Sequence, residues 1–181
     1  MFSHRLNARL QLRSLQLTDT NELFALTDAN RTYLRRWLPW LDRTTTTADT
    51  RNFIRNTIEQ FADTDGMVAA ICYDNEIVGI IGYNYIDWAN RIGQLGYWLA
   101  ECHQGKGIMT TACQYLVNYS FAQLVLNRIV ILCATQNKRS RAIPERLGFQ
   151  HEGTAHEAEW LYDHFVDHEI YALLRRHWVI D

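Results

Sequence analysis

Residues 101–111 read E-C-H-Q-G-K-G-I-M-T-T, and the fold is decided there. A strand-like run, Ile92 to Ala100, stands directly before this stretch, and about four turns of amphipathic helix follow it, from Gly107 to Leu124. A strand, a glycine-bearing loop and a helix in that order leave the first N–H groups of the helix without intrahelical partners. Together with the positive end of the helix dipole they suit an anion, typically phosphate or pyrophosphate. Gly105 and Gly107 lack a Cβ, so the backbone can come close to such a group. Taken alone, the glycine pair also reads as an ordinary tight turn. It is not a P-loop, because Lys106 is followed by Gly107 rather than Ser or Thr and Ala100 stands where the first glycine belongs. A dinucleotide fingerprint would need a third glycine at Thr110.

Composition sets the outer bounds. A chain of 181 residues, 48% hydrophobic, has the size and core content of a single domain spanning 1–181. No apolar run reaches the roughly 20 residues that cross a bilayer, and M-F-S-H-R-L-N-A-R-L lacks the apolar core of a signal peptide. The net charge of −2, with both signs interspersed, argues against direct nucleic-acid binding. Cys72, Cys102, Cys113 and Cys133 form no C-x-x-C pair and read as reduced thiols of a cytoplasmic protein.

Upstream of the loop, Leu10 to Leu15 alternates as a first strand, and Thr18-Asp19 offers a helix cap, with Glu22 near the first turn. R-T-Y-L-R-R-W-L-P-W-L, residues 31–41, reads as a short helix ended by Pro39. The four threonines 44–47 supply caps for a helix over 48–61, with Phe53, Ile54, Ile58 and Phe61 as its apolar face. Thr64-Asp65-Gly66 is a turn. Met67–Tyr73 and Glu76–Tyr85 form a hairpin about Asp74-Asn75, with Gly79 and Gly82 permitting a bulge or a close backbone approach. Asp87–Asn90 turns the chain into the strand that meets the loop. The helix after the loop presents Ile108, Ala112, Tyr115 or Leu116, and Tyr119 to a core. Arg128–Thr135 is a buried strand, Asn137–Leu147 a helix stopped by Gly148, and strands follow from Phe149 through Trp160 and from Phe165 to Leu174. This order gives an α/β (α+β) fold: a mixed, mostly antiparallel sheet of about seven strands with helices on both faces.

Q-G-K-G-I-M resembles the Q/R-x-x-G-x-G/A pyrophosphate loop of the GNAT N-acetyltransferases, with Met109 departing where Gly or Ala is usual. H-Q-G-K-G-I-M-T is similar to the RimL-like branch, the ribosomal-protein-serine acetyltransferases. N-K-R-S-R-A-I-P-E-R-L-G-F resembles the second signature, Asn followed by a helix ending in L-G-F. The resemblance implies acetyl-CoA as cosubstrate and no metal. It places the pyrophosphate on the amides of Gln104, Gly105, Lys106, Gly107, Ile108 and Met109, with support from Thr110. The pantetheine arm would lie along Trp98 and Leu99 and be met by Asn137, which as a residue type is equally a helix N-cap. Trp37, Trp40, Tyr85 and Trp160 would line the substrate pocket, although buried aromatics also simply fill cores.

The tyrosine that many members use as acid is Pro144 here. The branch uses a serine at the place of Ser140, and Pro144 lacks the N–H that would bond the Ser140 carbonyl. A-E-W-L-Y-D-H-F-V-D-H resembles the segment bearing a glutamate base, matched by Glu159 with Glu157 as rival. Two apart in a strand, the two carboxylates would share a face and raise one pKa. His164 and His168 lack a third ligand for a metal. One modest carboxylate suits an α-amine, with a pKa of about 7.7–8.0, better than a lysine at about 10.4. The resemblance therefore points to a protein N-terminus as acceptor. A small amine (polyamine, amino acid or aminoglycoside) and a non-catalytic CoA-binding sensor stay open. The branch is commonly dimeric, with Trp160 and Tyr162 available for such a contact.

Overall fold

The computed structural model describes residues 2–62 and 66–179. The main elements are β1 (Ser3–Arg5), β2 (Leu10–Ser14), α1 (Thr20–Ala29), α2 (Arg31–Leu34), α3 (Thr47–Ala62), β3 (Val68–Tyr73), β4 (Glu76–Asp87), β5 (Ile92–Leu99), α4 (Ile108–Ala122), β6 (Arg128–Ala134), α5 (Lys138–Arg146), β7 (Gln150–Leu161) and β8 (His164–Leu174). The strands form a mixed, mostly antiparallel sheet in the order β1-β2-β3-β4-β5-β6-β8-β7. That is one strand more than the sequence suggests, because the exposed residues of β1 carry no apolar alternation. The turn expected at Thr64-Asp65-Gly66 and the side chain of Phe61 lie outside the described residues. The chain divides into two compact units, Met1–Gly82 with Tyr97–Ile108, and Tyr83–Gly96 with Met109–Asp181.

In the first unit alternate residues of β3, Val68, Ala70 and Cys72, meet a core of Leu15, Leu23, Ile54, Ala70, Cys72, Ile77 and Ile80, against which Leu26, Val68 and Trp98 pack. Asp74 and Asn75 both take positive φ, 53° and 70°, as a two-residue hairpin turn requires. Helix α3 starts with a reciprocal cap: the Asp49 N–H donates to Thr46 Oγ1, and Asp49 Oδ2 accepts from the Thr46 N–H. Its buried ridge differs from the expected stripe. Thr50, Ile54 and Thr57 are buried, whereas Phe53 and Ile58 flank the ridge at 42% exposure each. Thr57 is accommodated there because its hydroxyl bonds back to the Ile54 carbonyl, whereas the Thr50 hydroxyl is buried without a hydrogen-bond partner among the described residues. Asp19 does not cap α1 with its side chain; its carboxylate holds Arg13 and the Gln16 N–H instead. Glu22 is drawn away to the Ile77 N–H at 2.7 Å. Helix α2 ends at Leu34, earlier than Pro39 demands.

Gly79 is fixed by close approach. A Cβ there would stand 2.3 Å from the Trp98 carbonyl oxygen and 3.0 Å from Leu99 Cα. Since both are backbone, neither can swing aside. Gly79→Ala is therefore expected to lower stability by about 2–3 kcal/mol in urea unfolding, the range of overpacked sites.

In the second unit α4 buries Ala112, Cys113, Leu116, Val117, Ser120 and Phe121, while Tyr115 and Tyr119 stack on its half-exposed side. Leu116 rather than Tyr115 is the core residue. Parallel pairing of β5 with β6 runs from Ile92↔Arg128 to Leu95↔Ile131, although β5 continues to Leu99 and β6 to Ala134. Helix α5 ends with the bonding of a Schellman motif about Gly148 (φ 76°), the Phe149 N–H reaching the Pro144 carbonyl and the Gly148 N–H that of Glu145.

A polar network, buried at Tyr171 and Glu169, ties α5 to β7 and β8. Tyr171 Oη donates to Glu145 Oε1 at 2.7 Å and accepts from Arg141 Nε at 3.1 Å. Glu169 meets His151 Nε2 at 2.5 Å, accepts from Thr154 Oγ1 at 2.9 Å and has Arg141 Nη1 at 3.8 Å. Burial pushes the Glu169 carboxyl up, but the bonds from His151 and Thr154 and the Arg141 charge together hold it below its ordinary value of 4.5. A depressed carboxylate contributes stability above that ordinary value and loses it as pH falls through the lowered one. Glu169→Gln should thus be less stable than wild type near pH 7, the two melting temperatures converging on acidification below pH 4.5. Parallel curves would rule this out.

Candidate active site

The loop between β5 and α4 carries the first set of site residues. After Leu99 the Ala100 N–H bonds the Val78 carbonyl, a short turn covers Glu101–His103, and Gln104 is extended. Gly105 and Gly107 take φ of 73° and 75°, and a Cβ built on either meets no atom within 4 Å. The turn therefore needs a left-handed backbone at both positions, and open space lies above them, a fit for a close-approaching anion. Ile108 and Met109 are 3% and 6% exposed, so their side chains belong to the core and only their backbone can serve a ligand.

Two braces hold the loop, and neither was legible as a motif. The Glu101 N–H donates to Asn30 Oδ1 at 2.9 Å, and Gln104 Nε2 donates to Tyr33 Oη at 2.6 Å. Gln104 thus places the loop with its side chain as well as offering its backbone. Lys106 Nζ lies 5.9 Å from the Tyr73 ring centroid, with the Arg9 guanidinium 4.4 Å from the same centroid. The His103 ring meets Tyr73 edge-on, and burial, followed by the Lys106 charge, lowers its pKa. Thr110 in the first turn of α4 accepts from Arg146 Nη1 at 3.2 Å. Arg146 is a cation at the helix start that sequence reading missed, because it lies at the far end of another helix. Trp98 is half-buried against Trp40, ring centroids 6.3 Å apart, which brings a predicted pocket wall and a predicted pantetheine contact together. Trp37 is half-buried on the segment after α2.

The second set lies on β6, α5, β7 and β8. Asn137 caps α5, its Oδ1 accepting from the Ser140 N–H at 3.2 Å. Ser140 Oγ is 3.2 Å from Cys133 Sγ on β6. Helix α5 continues through the buried Pro144. The two candidate bases part company. Pairing of β7 with β8 shifts between Ala155 and Glu159, so Glu157 sits on a bulge at φ 48°, exposed, with its N–H on Asp167 Oδ1 at 2.8 Å. The shared face expected for Glu157 and Glu159 is therefore lost to the extra residues of the bulge. Glu159 is half-buried with Oε2 at 3.5 Å from His168 Nε2. Trp160 faces Phe165 across the hairpin, centroids 4.8 Å apart, both more than half exposed; Tyr85 is exposed too. Tyr162, offered as an exposed contact residue, is only partly exposed at the hairpin turn. Among the described residues no group of three His, Cys, Asp or Glu side chains is arranged to hold a metal. The four cysteines are thiols, Cys102 exposed and Cys72, Cys113 and Cys133 buried.

Comparison with known proteins converges on one family. Residues 9–150 match the model of the acetyltransferase (GNAT) domain. YdaF of Bacillus subtilis (strain 168) is 37% identical over 182 residues, covering 98% of each chain. The ribosomal-protein-serine acetyltransferase of Escherichia coli (strain K12) is 30% identical, covering 93% of this chain and 94% of its own. A solved structure of RimL, a ribosomal alpha-N-protein acetyltransferase in complex with coenzyme A, superposes with a TM-score of 0.91 at 29% identity, covering 94% of this chain and 96% of that one. With the open glycine loop at the head of α4 inside the matched range, the chain belongs to the GNAT family and is an N-acetyltransferase.

Proposed function

We propose that this chain transfers an acetyl group from acetyl-CoA directly to the α-amine of a protein N-terminus, with residues 1–181 acting as one domain in the cytoplasm. The observation that carries the reading is the loop at 104–107, left-handed at both glycines and open above them. The likeness to a ribosomal-protein-serine acetyltransferase over nearly the whole chain supports the class of acceptor. Acetyl-CoA supplies the activated acetyl thioester. The N–H groups from Gln104 to Met109, with Thr110 and its partner Arg146, hold the diphosphate. Asn137, Trp98 and Leu99 receive the pantetheine arm, and Trp37, Trp40, Tyr85 and Trp160 receive the acceptor. Glu159 accepts the proton of the attacking amine, and the Ser140 hydroxyl donates to the departing sulfur.

The amine attacks unaided by a covalent enzyme intermediate. One carboxylate is enough for an α-amine, whereas lysine must first lose a proton held about two to three units more tightly. A panel of peptides varying the first residue, run beside polyamines, amino acids and an aminoglycoside and read by thiol release with mass spectrometry of the acceptor, tests the proposal. Acetylated peptide α-amines are expected. Acetylation of the small amines alone, or thiol release with no acetylated acceptor, would overturn it.

A further inference from the structure

We propose that His168 is a positioning residue of this site, which keeps Glu159 aligned and draws off the proton that Glu159 takes from the amine; this rests on the reading of Glu159 as the base. If β7 and β8 paired regularly beyond Glu159↔Val166, the residue opposite His168 would be Glu157. Instead Ala155 is opposite His168, so β7 carries two extra residues against β8 between these pairs. The bulge removes Glu157 from the strand face, leaves a methyl group opposite the imidazole, and makes Glu159 its diagonal neighbour on the same face.

Asp167 locks that arrangement. Its Oδ1 accepts from the Glu157 N–H at 2.8 Å and its Oδ2 lies 2.9 Å from His156 Nδ1, so one carboxylate ties down two of the bulged residues. Its own backbone carbonyl accepts from the Thr135 N–H at 3.0 Å. The outcome is an Oε2 to Nε2 separation of 3.5 Å, with the Glu159 side chain 29% and the His168 side chain 15% exposed. Glu159 faces His168 from β7, Asp167 precedes it with His156 attached, and its β6 partner, Ala134, is uncharged.

The chemistry gives this pair a use. A carboxylate that has taken a proton from an amine must lose it before the next turnover. An imidazole is by nature about two units more basic than a carboxylate, so passage to it is downhill. The amine N–H bond breaks as the Oε2–H bond forms on Glu159. That bond then breaks as Nε2–H forms on neutral His168, the proton crossing the 3.5 Å gap through one water, and His168, its side chain 15% exposed, passes it on to solvent. Nothing is oxidised or reduced, and one proton is conserved throughout. When His168 is already protonated it still aligns Glu159 as an ion pair but cannot accept.

The test uses the whole protein in two parallel measurements. Imidazole 15N resonances are compared at one pH in wild type and Glu159→Gln, with His168→Gln giving the assignment. The His168 Nε2 resonance is expected to move when the neighbouring carboxylate is replaced; an unmoved resonance overturns the coupling. In the second measurement, kcat is recorded against pH with acetyl-CoA and a serine-initiated peptide. His168→Gln is expected to lower kcat by about tenfold or more and to move the acid limb toward the carboxylate range, with KM for acetyl-CoA within about twofold. A kcat within about twofold of wild type, or a fall with the limb unmoved, overturns the relay. His168→Asn, checked like the first variant by its melting curve, serves if His168→Gln fails to fold. If Glu159→Gln retains full activity while the 15N coupling is present, the assignment of the base has failed and the relay falls with it. An active Glu159→Gln is thereby distinguished from an uncoupled histidine.

Discussion

Glu159→Gln is expected to lower kcat for a peptide α-amine by about 10²–10⁴-fold, the usual contribution of a positioned general base. Glutamine keeps the size and hydrogen-bonding shape of the side chain but cannot take a proton at neutral pH. The half-buried setting beside His168 is retained, so folding and acetyl-CoA affinity should change little. The control is Glu157→Gln, on the exposed bulge with its N–H fixed by Asp167, for which kcat should stay within about twofold of wild type. Equal losses in both variants, or none in either, would remove Glu159 from the role. Stopped-assay thiol release and calorimetric titration with acetyl-CoA separate the turnover effect from the binding effect.

Gly107→Val is expected to weaken coenzyme A binding by about 10–100-fold, or roughly 1.4–2.8 kcal/mol. Two effects act together. At φ 75° a β-branched side chain is strained by about 1–2 kcal/mol, which shifts the loop toward another backbone conformation. The added carbons also fill the open space above the loop, where nothing stands within 4 Å of the Cβ position. Gly148→Val separates the two, because that glycine has φ 76° and equally open surroundings but lies at the end of α5. Both variants should lose comparable stability in thermal melts, while only Gly107→Val should lose affinity. If both keep wild-type affinity, the backbone at 107 does not meet the ligand.

Much of the architecture was legible in the sequence because local signals and packing agree there. The 101–111 junction shows its nature through two glycines flanked by a strand and a helix, and Asp74-Asn75 and Gly148 punctuate the chain where left-handed backbone is needed. Strand β1 was not legible, since three exposed polar residues paired by backbone leave no pattern in side chains. The ridge of α3 misled because Thr50 and Thr57, polar by type, are buried beside Ile54 while Phe53 and Ile58 remain at the margin.

In the candidate site, the loop and the Asn137 cap followed from residue type and spacing. The separation of Glu159 from Glu157 did not, because a bulge that changes which residue faces the neighbouring strand depends on Asp167, eight or more positions away in the chain. The braces from Asn30 and Tyr33 and the contact of Arg146 with Thr110 join residues far apart in sequence, so no local pattern carries them.

The central claim is that main-chain nitrogens at the start of α4 grip the diphosphate of the cosubstrate. It is tested most directly by titrating 15N-labelled protein with coenzyme A and following the backbone amides of residues 104–110. The largest shifts are predicted at Gly105, Gly107, Ile108 and Met109, saturating together. Saturation with those amides unmoved and the largest changes elsewhere in the chain would contradict the account.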